Sequence, residues 1–150
     1  MSVISYQDEN CLLFVEEMKV LFPAHYDELC VTKDFPLEPD YEAYTRLING
    51  GMLRSITCRC DGELIGYILF IIQPHLHYKS CKTAFEDIYF VKKEYRKGRV
   101  GIKLFQFAEK VLRALDVNRI IIHTKIHLDN SRLLEYLDYK HTDKLFTKLL

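Results

Sequence analysis

The sequence predicts an α/β protein built on one mixed sheet, and three observations carry that expectation. Two alternating runs, Leu53–Cys60 and 63–72, flank Asp61-Gly62, a two-residue turn signal that joins antiparallel strands. A third strand-like run, 82–91, leads through a basic, glycine-bearing segment into a helix whose apolar positions Leu104, Phe105, Ala108, Val111, Leu112 and Leu115 share one face. An apolar strand at 119–125 follows, and a helical crossover makes it parallel to the strand before it.

The other elements follow in order. A short strand at 3–6 opens the chain, after which Leu12, Leu13, Val15, Met18, Leu21 and Phe22 recur at helical spacing. Pro23 lacks an N–H and is expected to end or restart that helix, with a second helical stretch at 25–30. Pro36 and Pro39 mark a loop, Asp40 caps a helix over Tyr41–Asn49, and Gly50-Gly51 terminates it. Residues 73–80 read as a loop. Near the end, a short helix spans about 130–137, and alternation over 140–149 predicts a last strand, the sixth.

The chain has 150 residues, 49% of them apolar, which suits a single domain with a proper core, spanning 1–150. No run approaches the ~20 apolar residues that cross a bilayer, and acids at Asp8 and Glu9 replace the basic start of a signal segment, so a cytoplasmic protein without membrane partners is expected. Five cysteines form no disulfide or zinc framework; Cys58-x-Cys60 has no second pair, and reduced core thiols are expected. Zero net charge argues against a general nucleic-acid binder, which shows a broad basic face.

Basic charge is instead local. From Lys92 to Arg99 there are five Lys/Arg against the single acid Glu94, and this segment opens the helix at Gly101. Helix N-terminal amides lack intrahelical partners and sit at the positive end of the macrodipole, so the layout is that of a phosphate-binding site.

The strand ending in Val91, followed by Arg96, Lys97, Gly98, Arg99, Val100 and Gly101 and then a helix, resembles the acetyl-coenzyme-A motif of the GNAT N-acetyltransferase superfamily, Arg-x-x-Gly-x-Gly/Ala. The order of elements agrees over nearly the whole chain. The run Pro74 to Tyr78 and the closing Leu-x-Tyr signature are similar to compact bacteriophage-encoded members, which implies a host cytoplasm. The resemblance implies a central six- or seven-stranded mixed sheet flanked by helices, acetyl-CoA as co-substrate, no metal, and an amine acceptor. One position departs from the motif, since Arg99 stands at the first motif glycine, with Gly98 one residue earlier. Arg99 could offer a guanidinium to the phosphate or obstruct it.

By the same resemblance, the amides of Phe90 and Val91 would hold pantetheine and polarise the acetyl carbonyl, Arg96 to Gly101 would bind the pyrophosphate, and Asn130 would contact cofactor or act only as an N-cap. An amine of pKa about 10.4 needs help to lose its proton near neutrality. Asp87, then Glu86, are the expected bases, of which at most one should face the cleft because adjacent strand residues alternate. His77, with Tyr78, follows the third strand and is another candidate base, while His123 and His127 read as strand-core and strand-end residues. His25 and Glu28, three apart on a helix, read as a surface ion pair bordering the acceptor side. The family's tyrosine acid is replaced by Leu134, leaving Tyr136, two residues on, to serve only through a shift in register.

The sequence therefore reads as an acetyl-CoA-dependent N-acetyltransferase working by direct transfer. The alternative is a GNAT-fold binding or assembly module without catalysis. A free sheet edge next to the last strand would favour a homodimer.

Overall fold

A computed structural model describes residues 1–150. Five strands, β1 (Ile4–Glu9), β2 (Leu53–Cys60), β3 (Glu63–His75), β4 (Tyr78–Val91) and β5 (Arg119–Ile121), lie side by side in chain order. All neighbours are antiparallel except β4 and β5, which run parallel. Helices α1 (Val15–Leu29) and α2 (Tyr41–Asn49) cover one face, and α3 (Val100–Ala114) covers the other, with α4 (Ser131–Tyr136) beside it.

Alternation sorts the core into two layers. Ile56, Ile68, Phe70 and Ala84 face Leu104, Phe105, Ala108 and Leu112 of α3. Tyr67, Leu69 and Phe90 face Met18, Leu21 and Phe22 of α1. Asp61 and Gly62 both take positive φ, 49° and 89°, as the tight hairpin between β2 and β3 requires. Asp40 accepts from Ala43 N at 2.9 Å and caps α2 as expected.

Four expectations are corrected. Helix α1 runs unbroken through Pro23, because Met18, Leu21, Phe22 and His25 form one buried face across it, and that burial outweighs one missing hydrogen bond. Residues 73–80 are not a loop: Gln73 pairs with Thr83 and Pro74 with Lys82, so the hairpin continues to a turn at Leu76 and His77. Pro74 is tolerated there because β2 pairs no further along β3 than Ile71, which leaves that edge open. The strand expected at 119–125 pairs only over Arg119–Ile121, since β5 then leaves β4. Finally, 140–149 forms no strand and is exposed throughout, so the sheet has five strands and not six or seven. An alternating pattern has no ladder without a partner, and β5 is too short to offer one.

Candidate active site

The divergence of β4 from β5 begins at a bulge. Phe70 pairs with Glu86 and Leu69 with Ile88, so Asp87 is an extra residue with no partner on β3. Below it, the Lys82 carbonyl accepts from Asn118 N, and Ala84 pairs with Ile120. Above it, Lys92 N donates to the Ile65 carbonyl, which by alternation turns the main-chain groups of Ile88 and Phe90 toward β3 and those of Tyr89 and Val91 toward the gap. The main-chain groups turned to the gap are thus those of Tyr89 and Val91, with the Val91 carbonyl taken by Arg96 Nε. Phe90, expected to offer its amide, instead gives its ring to the wall beside His25 and Arg96.

This gap is a cleft of about 170 Å³, lined on the β4 side by Glu86 to Val91, on the far side by His123, Thr124 and Lys125, and at its ends by α1 and α4. Glu86 and Asp87 do face opposite sides of the sheet, Glu86 sharing a face with Ala84 and α3. Both nevertheless line the cleft. The expectation that only one acid reaches it is overturned.

At one end of the cleft, the chain passes through a single 3-10 turn, Lys93–Tyr95, to the N-terminus of α3. Gly98 takes φ 96°, so the conformation that needs glycine falls there. Arg99 caps α3 at φ −108°, a conformation open to any residue, and does not force the turn apart. Its side chain is exposed, as is that of Lys97. The first turn of α3 has no side-chain cap and no acid, leaving its amides for an anion. Gly101 is tight: a Cβ there would lie 2.8 Å from Tyr89 Oη and 3.2 Å from Leu133 Cδ1.

Arg96 is already engaged. Its Nε donates to the Val91 carbonyl at 2.6 Å and its Nη2 to both Glu28 oxygens, at 2.9 and 2.7 Å. His127 Nε2 lies 2.8 Å from the Glu28 carbonyl, so the end of α1 is tied to both walls. His25 is not on the surface; it is 4% exposed, with Nδ1 2.9 Å from Tyr67 Oη. Burial, then the Arg96 charge, lower its pKa to about 4. The expected His25–Glu28 ion pair therefore does not form.

Other sequence candidates lie elsewhere. His77 sits in the β3–β4 turn beside His75, nine and ten residues before the two acids, which is roughly 30 Å of strand. Tyr136 is 62% exposed on α4 and outside the cleft, while Leu134, at the family's tyrosine position, is buried in the core. Asn130 does line the cleft. Its side chain makes no capping bond; Asp129 instead accepts from Ser131 N at 2.9 Å.

The residue that sequence reasoning missed is His123. Its Nδ1 lies 2.7 Å from Glu86 Oε2, and its own main-chain N is 3.4 Å from the same oxygen. The Glu86 hydrogen bond raises the imidazole above its ordinary value, against desolvation and the Lys125 charge. Asp87 keeps solvent contact, yet loss of water around its carboxyl, then the Glu86 charge, raise it as well. No group of three His, Cys, Asp or Glu side chains is placed to hold a metal.

A splayed parallel pair with main-chain groups turned into the gap, ending at uncapped helix amides, is an arrangement suited to an extended, phosphate-bearing acyl carrier. The chain belongs to the acetyltransferase (GNAT) family, whose profile matches residues 16–137. It is an N-acetyltransferase by class, with acetyl-CoA as co-substrate. No curated protein matches its sequence. Among solved structures it is similar to ribosomal-protein-alanine N-acetyltransferase from Brucella melitensis biovar Abortus 2308, at 13% identity over 99% of both chains with a TM-score of 0.76. It is also similar to AAC(6')-Iy in complex with the bisubstrate analog CoA-S-monomethyl-acetylneamine, at 15% identity over 99% of this chain and 98% of that one, TM-score 0.73. Glucosamine-6-phosphate N-acetyltransferase from Arabidopsis thaliana matches at 12% identity over 98% of both chains, TM-score 0.72.

Proposed function

We propose that this protein transfers acetyl from acetyl-CoA directly to a primary amine in a ternary complex. The observation that carries this reading is the gap above the Asp87 bulge, where Tyr89 and Val91 turn main-chain groups away from β3, the Val91 carbonyl held by Arg96, and the chain leads to the uncapped amides of α3. The residues fit the carrier: Gly98 supplies the positive φ, Gly101 keeps the approach free of a Cβ, and Lys97 and Arg99 stand exposed at the same turn. Bound acetyl-CoA supplies the activated thioester. Tyr89 and Val91 bind the pantetheine arm, Gly98 to Gly101 bind the pyrophosphate, and Arg96 holds the turn against α1. Asn130 closes the α4 side. Glu86 and Asp87 stand where the amine enters, one from each face of the sheet.

The acceptor approaches the α1 and α2 side, and the neighbours' acceptors make the first screen: an alanine-terminated ribosomal peptide, neamine and glucosamine-6-phosphate. The likeness of the Pro74 to Tyr78 tip to bacteriophage members adds host proteins to that search. Five free cysteines, three of them buried, suit the reducing cytoplasm where acetyl-CoA is made. Residues 140–150, with Leu145 and Phe146 exposed, form an uncovered segment that a second copy would cover, giving a homodimer.

Calorimetric titration of acetyl-CoA tests the reading. Micromolar binding by the wild type, lost in a folded Gly101→Trp variant, is expected; no binding at millimolar cofactor overturns it. Binding without turnover on any amine would favour the non-catalytic module, for which buried Leu134 in place of the tyrosine acid is the argument.

A further inference from the structure

Two of the six histidines line the cleft with a ring nitrogen free of protein partners, His25 and His123, and of these His25 is buried while His123 is open to an incoming amine. His25 is buried against Tyr67, His127 is bonded to the Glu28 carbonyl, His75 and His77 occupy the distant hairpin tip, and His141 lies in the exposed tail. His123 lines the cleft with its side chain 43% exposed, and its Nδ1 is held by a Glu86 side chain that is 4% exposed. A carboxylate on Nδ1 fixes the proton there, which leaves the Nε2 lone pair as the basic site. A second contact, from the His123 main-chain N to the same oxygen, sets the ring relative to β4 across the gap.

We propose that His123 is the catalytic base of this transferase and that Glu86 is its positioning residue. The inference rests on the N-acetyltransferase reading above. The amine nitrogen forms a bond to the acetyl carbon while Nε2 takes one proton from that nitrogen. As the carbon–sulfur bond breaks, the imidazolium gives the same proton to the departing thiolate. Atoms and charge balance as amine plus thioester giving amide plus thiol, and the histidine returns neutral. One group thus serves as base and acid, which accounts for a site that carries Leu134 in the tyrosine position. The charges that face the imidazole are Glu86 and Asp87 from β4 and Lys125 from its own segment, while Arg96 and Glu28 at the α1 end pair with each other. Asp87 is the competing base, and a carboxylate, even raised, is the weaker one near neutrality.

Three measurements on wild type, His123→Gln, Glu86→Gln, Asp87→Asn and the tail control His141→Gln test this. Calorimetry with acetyl-CoA comes first, and comparable binding in all five is expected; a wild type that does not bind removes the acetyltransferase reading itself. NMR titration of the imidazole Cε1–H signals, which needs no turnover, is expected to show one histidine above about 6.5 that vanishes in His123→Gln and moves down in Glu86→Gln. CoA release from acetyl-CoA with n-butylamine, over a range of pH, is expected to fall about 100-fold or more in His123→Gln with loss of its inflection. In Glu86→Gln it falls less, and the inflection moves to lower pH. Any one of three results overturns the proposal while leaving cofactor binding standing: an unshifted His123 signal in Glu86→Gln, a His123→Gln rate within threefold of wild type, or wild-type release no faster than in buffer.

Discussion

Arg96 and Glu28 join the glycine turn before α3 to the end of α1 through two contacts from one guanidinium nitrogen, at 2.9 and 2.7 Å. The pair is partly shielded, at 32% and 17% side-chain exposure, so it lies between a surface and a buried ion pair in worth. Arg96→Gln and Glu28→Gln should each cost about 1–2 kcal/mol in urea unfolding, and the double variant less than their sum. Strict additivity would mean that the two side chains are not coupled.

Gly101 and Tyr89 compete for one space, since a Cβ on residue 101 would come within 2.8 Å of the phenol oxygen. Gly101→Ala should lose about 1–3 kcal/mol, and adding Tyr89→Phe should recover most of it by removing that oxygen. Thermal melts of the two variants decide whether the hydroxyl is the obstacle.

The turn needs glycine at 98 and not at 99, where φ is −108°. Gly98→Ala should destabilise the fold by about 1–2 kcal/mol and weaken acetyl-CoA binding, with Gly98→Asn milder. Arg99→Ala should leave the melting temperature nearly unchanged. The reverse order would place the strain at the cap.

His25 should make the protein acid-sensitive. Its pKa falls from 6.5 to about 4 on folding, so the unfolded chain binds more protons between those values. Stability is complete above pH 6.5 and declines as pH drops toward 4, by about 3 kcal/mol in all. Urea midpoints near neutrality and near pH 5 should show about 2 kcal/mol of that loss. His25→Leu should flatten the slope, whatever its absolute stability.

The exposed tail is the segment on which the proposed dimer depends. Deleting residues 141–150 should change unfolding free energy by under about 0.5 kcal/mol, because every one of them is exposed and none belongs to a helix or strand. Sedimentation should show the dimer replaced by monomer. A truncated protein that still dimerises would exclude tail exchange.

What the sequence disclosed follows from range. Strands β2 and β3, their Asp61-Gly62 turn, the cap at Asp40 and helix α3 are set by neighbours a few residues away, and periodicity marks them. The path through Pro23 depends on sheet residues that α1 covers, and the tail depends on a strand that never comes alongside it. In the site, the resemblance pointed to Glu86, Asp87 and Gly101, all of which line the cleft. His123 stayed hidden because its role needs β5 to leave β4 after Ile121, and an apolar run does not disclose where its pairing stops.

The extra residue at position 87 is the smallest part on which the cleft depends. On either side of it the same alternation resumes, with Glu86 facing α3 before it and Tyr89 facing α3 after it, so the strand would be regular if Asp87 were excised. Such a deletion would keep every core side chain in its layer while allowing β4 to run straight and zip against β5. The sheet would gain hydrogen bonds and lose its opening. A single codon thus separates a scaffold that only folds from one with a place to bind.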